Sequence, residues 1–266
     1  ASIGTAAVSG TTYLWSPNTN LTSTTSAVVT ANPGTTTTYT VIATNTASGC
    51  TAQDQVTVFV DLSLPTVNAG NDFTKTCSQN PSGLAIGMTP VAGVTYAWQP
   101  TTGLNDPNIS APIANPSSTQ NYTLTATQTS SGCTQSDQVL VTVNLTVPTA
   151  IAGTAFLKTC TQNQNGANIG FAGQTGATYA WFPTTGLASP SASLTNANPS
   201  VTTTYTLTAT NTASGCTASN AVLVTVDTEV PSVNAGSDFN KTCTQNPNGL
   251  QIGMTAVTGV TYVWSP

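Results

Sequence analysis

This chain contains no histidine and very little charge. Its three basic residues and eight acidic residues together make up 4% of the sequence, against roughly 25% in an ordinary soluble domain. Binding of nucleic acid requires clustered Lys and Arg to neutralise phosphates, so this class of partner is excluded. Without His, the Ser-His-Asp and Cys-His arrangements of nucleophilic enzymes are excluded as well.

Long apolar runs and helical periodicity are also missing. No stretch of about 20 apolar residues occurs, so we do not expect this segment to insert into a membrane. The eight acidic residues are spread along 266 residues, which argues against the paired carboxylates of glycoside hydrolysis. The sequence therefore predicts a protein that is not an enzyme.

What the sequence does contain is an internal repeat of 83 residues. Its cysteines occupy two repeat positions, namely Cys50, Cys133 and Cys216 at one position and Cys77, Cys160 and Cys243 at the other. One tryptophan position recurs at the same interval, as Trp15, Trp98, Trp181 and Trp264. A long fixed period of this kind predicts tandem copies of one folded unit.

The frame of the repeat is set by a proline at each junction, Pro65, Pro148 and Pro231. We predict two complete repeats, residues 65–147 and 148–230, between the C-terminal part of a repeat (1–64) and the N-terminal part of another (231–266). Because both ends fall inside a repeat, we interpret the chain as a window of a longer protein. The alternative is a subunit whose half-repeats are completed by neighbouring copies.

Short alternating runs within each repeat predict β-strands. Val94, Tyr96 and Trp98 alternate with small residues, and Tyr122 and Leu124 begin another such run; period-two alternation marks half-buried strands. About seven strands in 83 residues predict an all-β fold of tandem immunoglobulin-like β-sandwiches in a linear array. A β-helix would require a much shorter period, and the 38% hydrophobic content argues against disorder.

The predicted core residues are the recurring aromatic residues of the complete repeats, Trp98, Trp181, Tyr122 and Tyr205. The tryptophan is expected on a central strand, as in immunoglobulin-type sandwiches. The tyrosine follows a proline-containing corner, where it is expected to form a tyrosine corner with nearby backbone. The alternative is that these aromatic residues form a binding surface.

The cysteines predict disulfides, since an even number at fixed spacing without His favours disulfides over a metal site. One pairing lies inside each repeat, Cys77–Cys133 and Cys160–Cys216, with Cys50 and Cys243 paired outside this sequence. The other crosses the junctions, as Cys50–Cys77, Cys133–Cys160 and Cys216–Cys243. We favour the first because each domain must stabilise itself, and closing such a loop contributes about 4 kcal/mol. Either pairing places the chain in an oxidising, extracellular compartment.

Three segments of the second repeat carry a resemblance to a known class of module. They read NAGNDFTKTC at Asn68–Cys77, TYAWQPTTGL at Thr95–Leu104 and IANPSSTQNYTLTATQTSSGCTQSDQVLVTV at Ile113–Val143. They resemble the immunoglobulin-like and PKD-like modules of very large Bacteroidota cell-surface adhesins, which are exported by type IX secretion and include gliding-motility adhesins of the SprB type. Through the repeat, the resemblance extends over the whole chain, with Gln164 in place of Pro81 and Asn220 in place of Asp137.

The resemblance implies secretion, a cell-surface location and an adhesive stalk or filament. The leading hypothesis is a non-catalytic structural segment whose partners are the neighbouring repeats, further copies in a filament, and an unidentified surface polysaccharide or host ligand. One alternative is a self-assembling filament subunit. The other is a carbohydrate- or ice-binding array, suggested by threonine ranks such as Thr204, Thr206, Thr208 and Thr210.

No cofactor is expected. The acidic residues Asp61, Asp227 and Glu229 fall at the junctions between repeats, which makes calcium the one ion to consider there. Calcium sites use six to eight oxygen ligands, and these three carboxylates are too few to predict one.

Overall fold

The computed structural model describes all 266 residues, and the chain is all-β. It folds as two compact units, Ala1–Leu145 and Thr146–Pro266. The strands of the first repeat are β1 (Ser2–Gly4), β2 (Thr11–Ser16), β3 (Val28–Thr30), β4 (Thr37–Asn45) and β5 (Thr51–Val58). Those of the second are β6 (Phe73–Lys75), β7 (Leu84–Ala85), β8 (Val94–Gln99), β9 (Ile113–Ala114), β10 (Gln120–Gln128) and β11 (Thr134–Val143).

The third repeat contains the same six strands as the second. They are β12 (Phe156–Thr159), β13 (Ala167–Gly170), β14 (Ala177–Phe182), β15 (Leu194–Ala197), β16 (Thr203–Asn211) and β17 (Thr217–Asp227). Residues 228–266 form no strand. The boundaries 65–147 and 148–230 stay predictions, but the order of elements recurs at the 83-residue interval.

Each complete repeat is a sandwich of a four-stranded and a two-stranded sheet. The second repeat has the strand order β6-β11-β10-β8 in one sheet and β7-β9 in the other, and the third has β12-β17-β16-β14 and β13-β15. Neighbouring strands are antiparallel, except that the first strand of each repeat runs parallel to the last, as β6 with β11 and β12 with β17. The predicted β-sandwich class is therefore confirmed.

Each complete repeat has six strands and not about seven, because the stretch that precedes β6 does not join a sheet. The backbone N–H of Ala69 donates to the carboxylate of Asp137 at 2.9 Å, and the N–H of Gly87 donates to the carbonyl of Ala69 at 2.8 Å. The Asp137 carboxylate thus accepts a hydrogen bond that the carbonyl of a neighbouring strand would otherwise accept. In the third repeat, the side-chain oxygen of Asn220 accepts from the backbone N–H of Ala152 in the same way. The replacement of Asp137 by Asn220 therefore keeps a hydrogen-bond acceptor at this position.

The core of the second repeat lies between its two sheets. Tyr122, Leu124 and Ala126 point inwards from β10 and are fully buried, whereas Thr123 and Thr125 point outwards, because successive side chains of a strand point to opposite faces. The other buried apolar residues are Ala69, Ile86, Tyr96, Trp98, Ala114, Val139 and Val141. The third repeat uses the matching positions Ala152, Ile169, Trp181, Ala197, Tyr205, Leu207, Val222 and Val224.

Candidate functional site

The two predicted core tryptophans, Trp98 and Trp181, are both buried. The indole N–H of Trp98 donates to the carbonyl of Ile109 at 3.0 Å, and that of Trp181 to the carbonyl of Ala192 at 2.9 Å. Each tryptophan therefore ties the large sheet to the loop that leads into the small sheet. The predicted central strand is wrong, since β8 is an edge strand that pairs only with β10.

The two predicted core tyrosines, Tyr122 and Tyr205, are fully buried. Their hydroxyls donate to the carbonyls of Thr102 and Thr185, each at 2.6 Å. Burial raises the pKa of both phenols. The acceptor lies 20 residues upstream and not within a few residues, as the tyrosine corner predicts. The tyrosine thus fastens β10 to the turn after β8, and the four aromatic residues lie in the core instead of on a binding surface.

The structure contains neither predicted set of disulfides. Cys50, Cys133, Cys160 and Cys243 are free thiols, and the disulfide-bonded cysteines are Cys77 and Cys216. The predicted pairs Cys77–Cys133 and Cys160–Cys216 each contain a free thiol, as does each junction pair. Cys50 and Cys243 have no disulfide partner within this sequence, and their pairing with cysteines outside it stays a prediction.

The sandwich itself explains why the cysteines of one repeat do not meet. Cys77 follows β6, which pairs with Val141–Val143 at the C-terminal end of β11. Cys133 precedes Thr134, where β11 begins. The two cysteines thus lie near opposite ends of a ten-residue strand, roughly 30 Å apart at about 3.3 Å per residue. A disulfide requires Cα atoms within about 7 Å, and the same argument holds for the third repeat.

This arrangement predicts which thiols react with an alkylating agent. In the unfolded but unreduced chain, we expect iodoacetamide to modify Cys133 and Cys160, whereas Cys77 and Cys216 require prior reduction. Cys77→Ser is expected to release one additional reactive thiol, and the matched variant Cys133→Ser is not. Mass spectrometry of the digested protein measures the extent of alkylation at each cysteine. Protection of Cys133 and Cys160 from alkylation would support the pairing within each repeat that the sequence favoured.

Two of the three lysines have a structural role that their sequence position alone did not suggest. Lys75 is buried, and its ammonium donates to the carbonyl of Pro116 at 2.8 Å. Lys158 donates to the carbonyl of Pro199 at 3.0 Å and also to the side chain of Asn198. The first strand of each complete repeat is therefore fastened to the loop that precedes the long strand, β10 or β16.

The junctions between repeats carry a recurring contact. In the first unit, the Ser130 hydroxyl donates to the carboxylate of Asp61 at 3.0 Å, and the Ser131 hydroxyl to the carbonyl of Ser63 at 3.2 Å. In the second unit, the Ser214 hydroxyl donates to the carbonyl of Thr146 at 2.7 Å. The hairpin between the two longest strands of a repeat thus holds the linker that precedes that repeat. We call this contact the junction clasp.

The Asp61 carboxylate is a charged group within the junction clasp. Hydrogen bonds from the side chain and backbone of Ser63, and then from the Ser130 hydroxyl, lower the pKa of the Asp61 carboxyl. The ionised form is therefore favoured in the clasp, and its contribution is lost as the pH falls through the lowered pKa. No three acidic, cysteine or histidine side chains of the chain come together as metal ligands.

The threonines of β16 form one outward rank. Thr206, Thr208 and Thr210 are partly exposed, and the strands on either side place Ala180 and Ser219 beside Thr208. The outward surface of the sheet around these threonines is therefore uncharged, but it is not made only of small side chains, because the exposed Phe182 lies beside Thr206 and the exposed Leu223 lies beside Thr204. Only β16 presents a continuous row of outward threonines, and the neighbouring strands β14 and β17 do not.

Comparison with known proteins gives a structural likeness only. Neither a protein-family model nor a curated protein matches the sequence. An I-band fragment of titin aligns with 85% of this chain and 91% of its own length, at 12% identity and a TM-score of 0.40. The extracellular cadherin domains 1–4 of protocadherin gamma B7 align over 80% and 66%, at 12% identity and 0.35. Immunoglobulin domains 1–4 of Sidekick-1 align over 85% and 71%, at 14% identity and 0.30.

The chain also contains no helix of the length and apolarity that a membrane crossing requires.

Proposed function

We propose that this chain is a non-catalytic structural segment of a long extracellular stalk or filament that transmits force. The observation that carries the proposal is the parallel pairing of the first and last strands of each complete repeat. We further propose that the stalk belongs to a cell-surface adhesin that acts in surface attachment or gliding motility, as the resemblance of its modules to Bacteroidota adhesins suggests.

Parallel terminal strands determine how a repeat responds to tension. Force enters a repeat at the start of β6 and leaves it at the end of β11. Because the two strands run in the same direction, tension slides one along the other. The hydrogen bonds between Phe73–Lys75 and Val141–Val143 are then loaded together in shear and do not open one at a time. Such a strand pair resists extension until all of its bonds fail.

Two further contacts extend the same strand pair, and a third fastens β6 to the loop that precedes β10. The N–H of Leu140 donates to the carboxylate of Asp72 at 2.8 Å, the N–H of Asn144 to the carbonyl of Lys75 at 2.9 Å, and the ammonium of Lys75 to the carbonyl of Pro116 at 2.8 Å. These bonds lie at both ends of the short ladder. They add resistance where separation of the strands begins.

Other features support the proposed role. The junction clasp fastens the linker residue Ser63 to the second repeat and the linker residue Thr146 to the third. With 4% charged residues, lateral contacts between stalks depend little on ionic strength, since salt screens only charges. The disulfide bonding of Cys77 and Cys216 agrees with an oxidising compartment outside the cytoplasm.

Optical-tweezers extension of the reduced chain tests the proposal. We expect two discrete unfolding steps, each lengthening the chain by about 250 Å, from ~3.5 Å per extended residue over one repeat less a folded length of roughly 35 Å. Lys75→Ala leaves the Pro116 carbonyl without its partner, which costs about 1–3 kcal/mol. Because each 1.4 kcal/mol lost from the unfolding barrier speeds unfolding about tenfold, one of the two steps should move to clearly lower force.

The matched control is Lys241→Ala, since Lys241 is exposed and should leave both steps unchanged. Gradual extension without discrete steps would contradict a force-transmitting role. Equal unfolding forces for Lys75→Ala and the unmodified chain would exclude the contact between Lys75 and Pro116 as part of the resisting element.

A further inference from the structure

The outer face of the large sheet in the third repeat carries three exposed apolar side chains that take no part in its core. They are Leu157 of β12, Leu223 of β17 and Phe182 of β14, with exposed fractions of 40%, 44% and 76%. In each strand the preceding residue packs in the core, so these three side chains point to the opposite face. The outer face therefore offers apolar surface that the fold of the repeat does not use.

The strand register places the three side chains along one diagonal of the sheet. Leu157 lies beside Thr225, and Leu223 is two residues from Thr225 along β17. Phe182, on the far side of β16, lies level with Ala221, which is two residues further along β17. With about 4.8 Å between strands and about 3.3 Å per residue, the Cα atom of Leu223 is about 8 Å from that of Leu157 and about 12 Å from that of Phe182. We call this diagonal the apolar stripe, and Leu223 lies near its middle.

The surroundings of the apolar stripe carry almost no charge. Apart from the stripe and Asp227 at the end of β17, the outward residues of this sheet are Thr, Ser and Ala. The second repeat has Thr74, Leu140 and Gln99 at the three stripe positions, so only one of these is apolar. The apolar stripe is therefore a property of the third repeat and is not required by the fold.

A following repeat does not cover this face of the sandwich. The first repeat is followed, within one compact unit, by the complete second repeat. It has Ser16 and Thr57 at two of the stripe positions, and these residues are exposed and partly exposed. The exposure of the apolar stripe therefore belongs to the third repeat itself and does not arise from the incomplete repeat that comes after it.

We propose that the outer sheet face of the third repeat packs against the same face of a second copy of this chain. A two-fold axis in the plane of the contact brings Phe182 of each copy onto Leu157 of the other, because these residues mark the two ends of the stripe. Leu223, near the middle, then packs on Leu223 of the other copy. Such a contact uses one patch on both partners, as two-fold symmetry requires.

The area of the face is enough for a weak dimer. Four strands about 4.8 Å apart, over a length of roughly 25 Å, present roughly 500 Å² per copy and about 1,000 Å² in total. Specific interfaces begin at about 1,000 Å², so we expect a reversible dimer and not a permanent one. Small ligands bind in concave pockets with orienting polar groups, whereas this face is the open side of a sheet with hydroxyls only, which favours a second copy.

Leu223 allows a test that only contact between identical residues can pass. Leu223→Asp places two carboxylates at the centre of the contact, and Leu223→Lys places two ammonium groups there. Each variant alone should associate about a hundredfold more weakly, because like charges repel across an interface. An equimolar mixture of the two variants brings opposite charges together and should recover the association. Leu140→Asp, at the same position of the second repeat, is the matched control and should associate like the unmodified chain.

Phe182→Ala provides a variant whose folding is not at risk. The Phe182 side chain lies outside the core and is 76% exposed, so its truncation should leave the circular dichroism spectrum unchanged. Loss of an aromatic anchor is expected to weaken association about tenfold. This variant keeps the proposal testable if a charge at position 223 prevents folding.

Sedimentation velocity of the full chain, with its free thiols alkylated to prevent cross-links between copies, measures the association. The average mass should rise with concentration for the unmodified chain and for Leu140→Asp. A chain that stays monomeric at every concentration overturns the proposal, even if the face binds a neutral polysaccharide such as dextran. Equal losses in Leu223→Asp and Leu140→Asp, no effect of Phe182→Ala, or a mixture of the two Leu223 variants that stays monomeric would overturn it as well. The association does not depend on the proposed stalk role, since the extension experiment measures single chains and this one measures pairs.

Discussion

Trp181→Ala is expected to destabilise the third repeat by about 3–5 kcal/mol, the range for truncating a large buried aromatic side chain. Trp181 is 2% exposed, and its indole N–H satisfies the carbonyl of Ala192. Truncation therefore leaves a cavity between the sheets and an unpaired carbonyl. A repeat of this length has only about 4–12 kcal/mol of stability at roughly 0.05–0.15 kcal/mol per residue. The free energy lost is therefore a large part of the stability of the repeat. If that stability lies at the lower end of this range, the variant repeat unfolds.

The neighbouring residue supplies the control for this prediction. Phe182 is the next residue of β14 but is 76% exposed, because successive residues of a strand face opposite sides. Phe182→Ala should change the unfolding free energy by no more than about 0.5 kcal/mol. Hydrogen–deuterium exchange of peptides from β16 and β17 reports on this repeat separately from the others. Similar exchange in the two variants would show that the tryptophan is not part of the core.

Alternation along the chain was enough to predict much of this fold. A two-residue period fixes which side chains share a face, so Tyr122, Leu124 and Trp98 could be assigned to the core from the sequence alone. The 83-residue interval then transfers the assignment to Tyr205 and Trp181. These predictions depend only on the alternation of apolar and polar residues along a strand, which can be read directly from the sequence.

The pairing of cysteines could not be predicted in the same way. Spacing along the chain does not show at which end of a sandwich a residue lies, and this depends on the parallel pairing of β6 with β11. That pairing takes Cys77 to the end of the repeat opposite Cys133. The burial of Lys75 was missed for a related reason. Its partner is a backbone carbonyl 41 residues away, and no sequence motif marks a carbonyl as an acceptor.

Gly87→Ala is expected to destabilise the second repeat by an amount comparable with the loss of its tryptophan. Gly87 has a φ of +91°, and a Cβ at this position would lie 2.0 Å from the carbonyl oxygen of Ser110 and 2.9 Å from the Trp98 ring. Left-handed backbone costs a residue with a Cβ about 1–2 kcal/mol, and overpacking adds about 1–3 kcal/mol or more. The sum is about 2–5 kcal/mol, and the obstructing carbonyl belongs to the backbone, which yields less readily than a side chain.

Gly132→Ala separates the two contributions. Gly132 also has a positive φ, +71°, but nothing lies within 4 Å of the position of its Cβ. This variant therefore has the conformational strain alone, about 1–2 kcal/mol, and the excess loss in Gly87→Ala measures the steric overlap. Amide exchange in β10 and β11, followed in both variants, gives the two values. Equal destabilisation would mean that the segment around Ser110 moves aside, and that the carbonyl of Ser110 does not restrict the residue at position 87 to glycine.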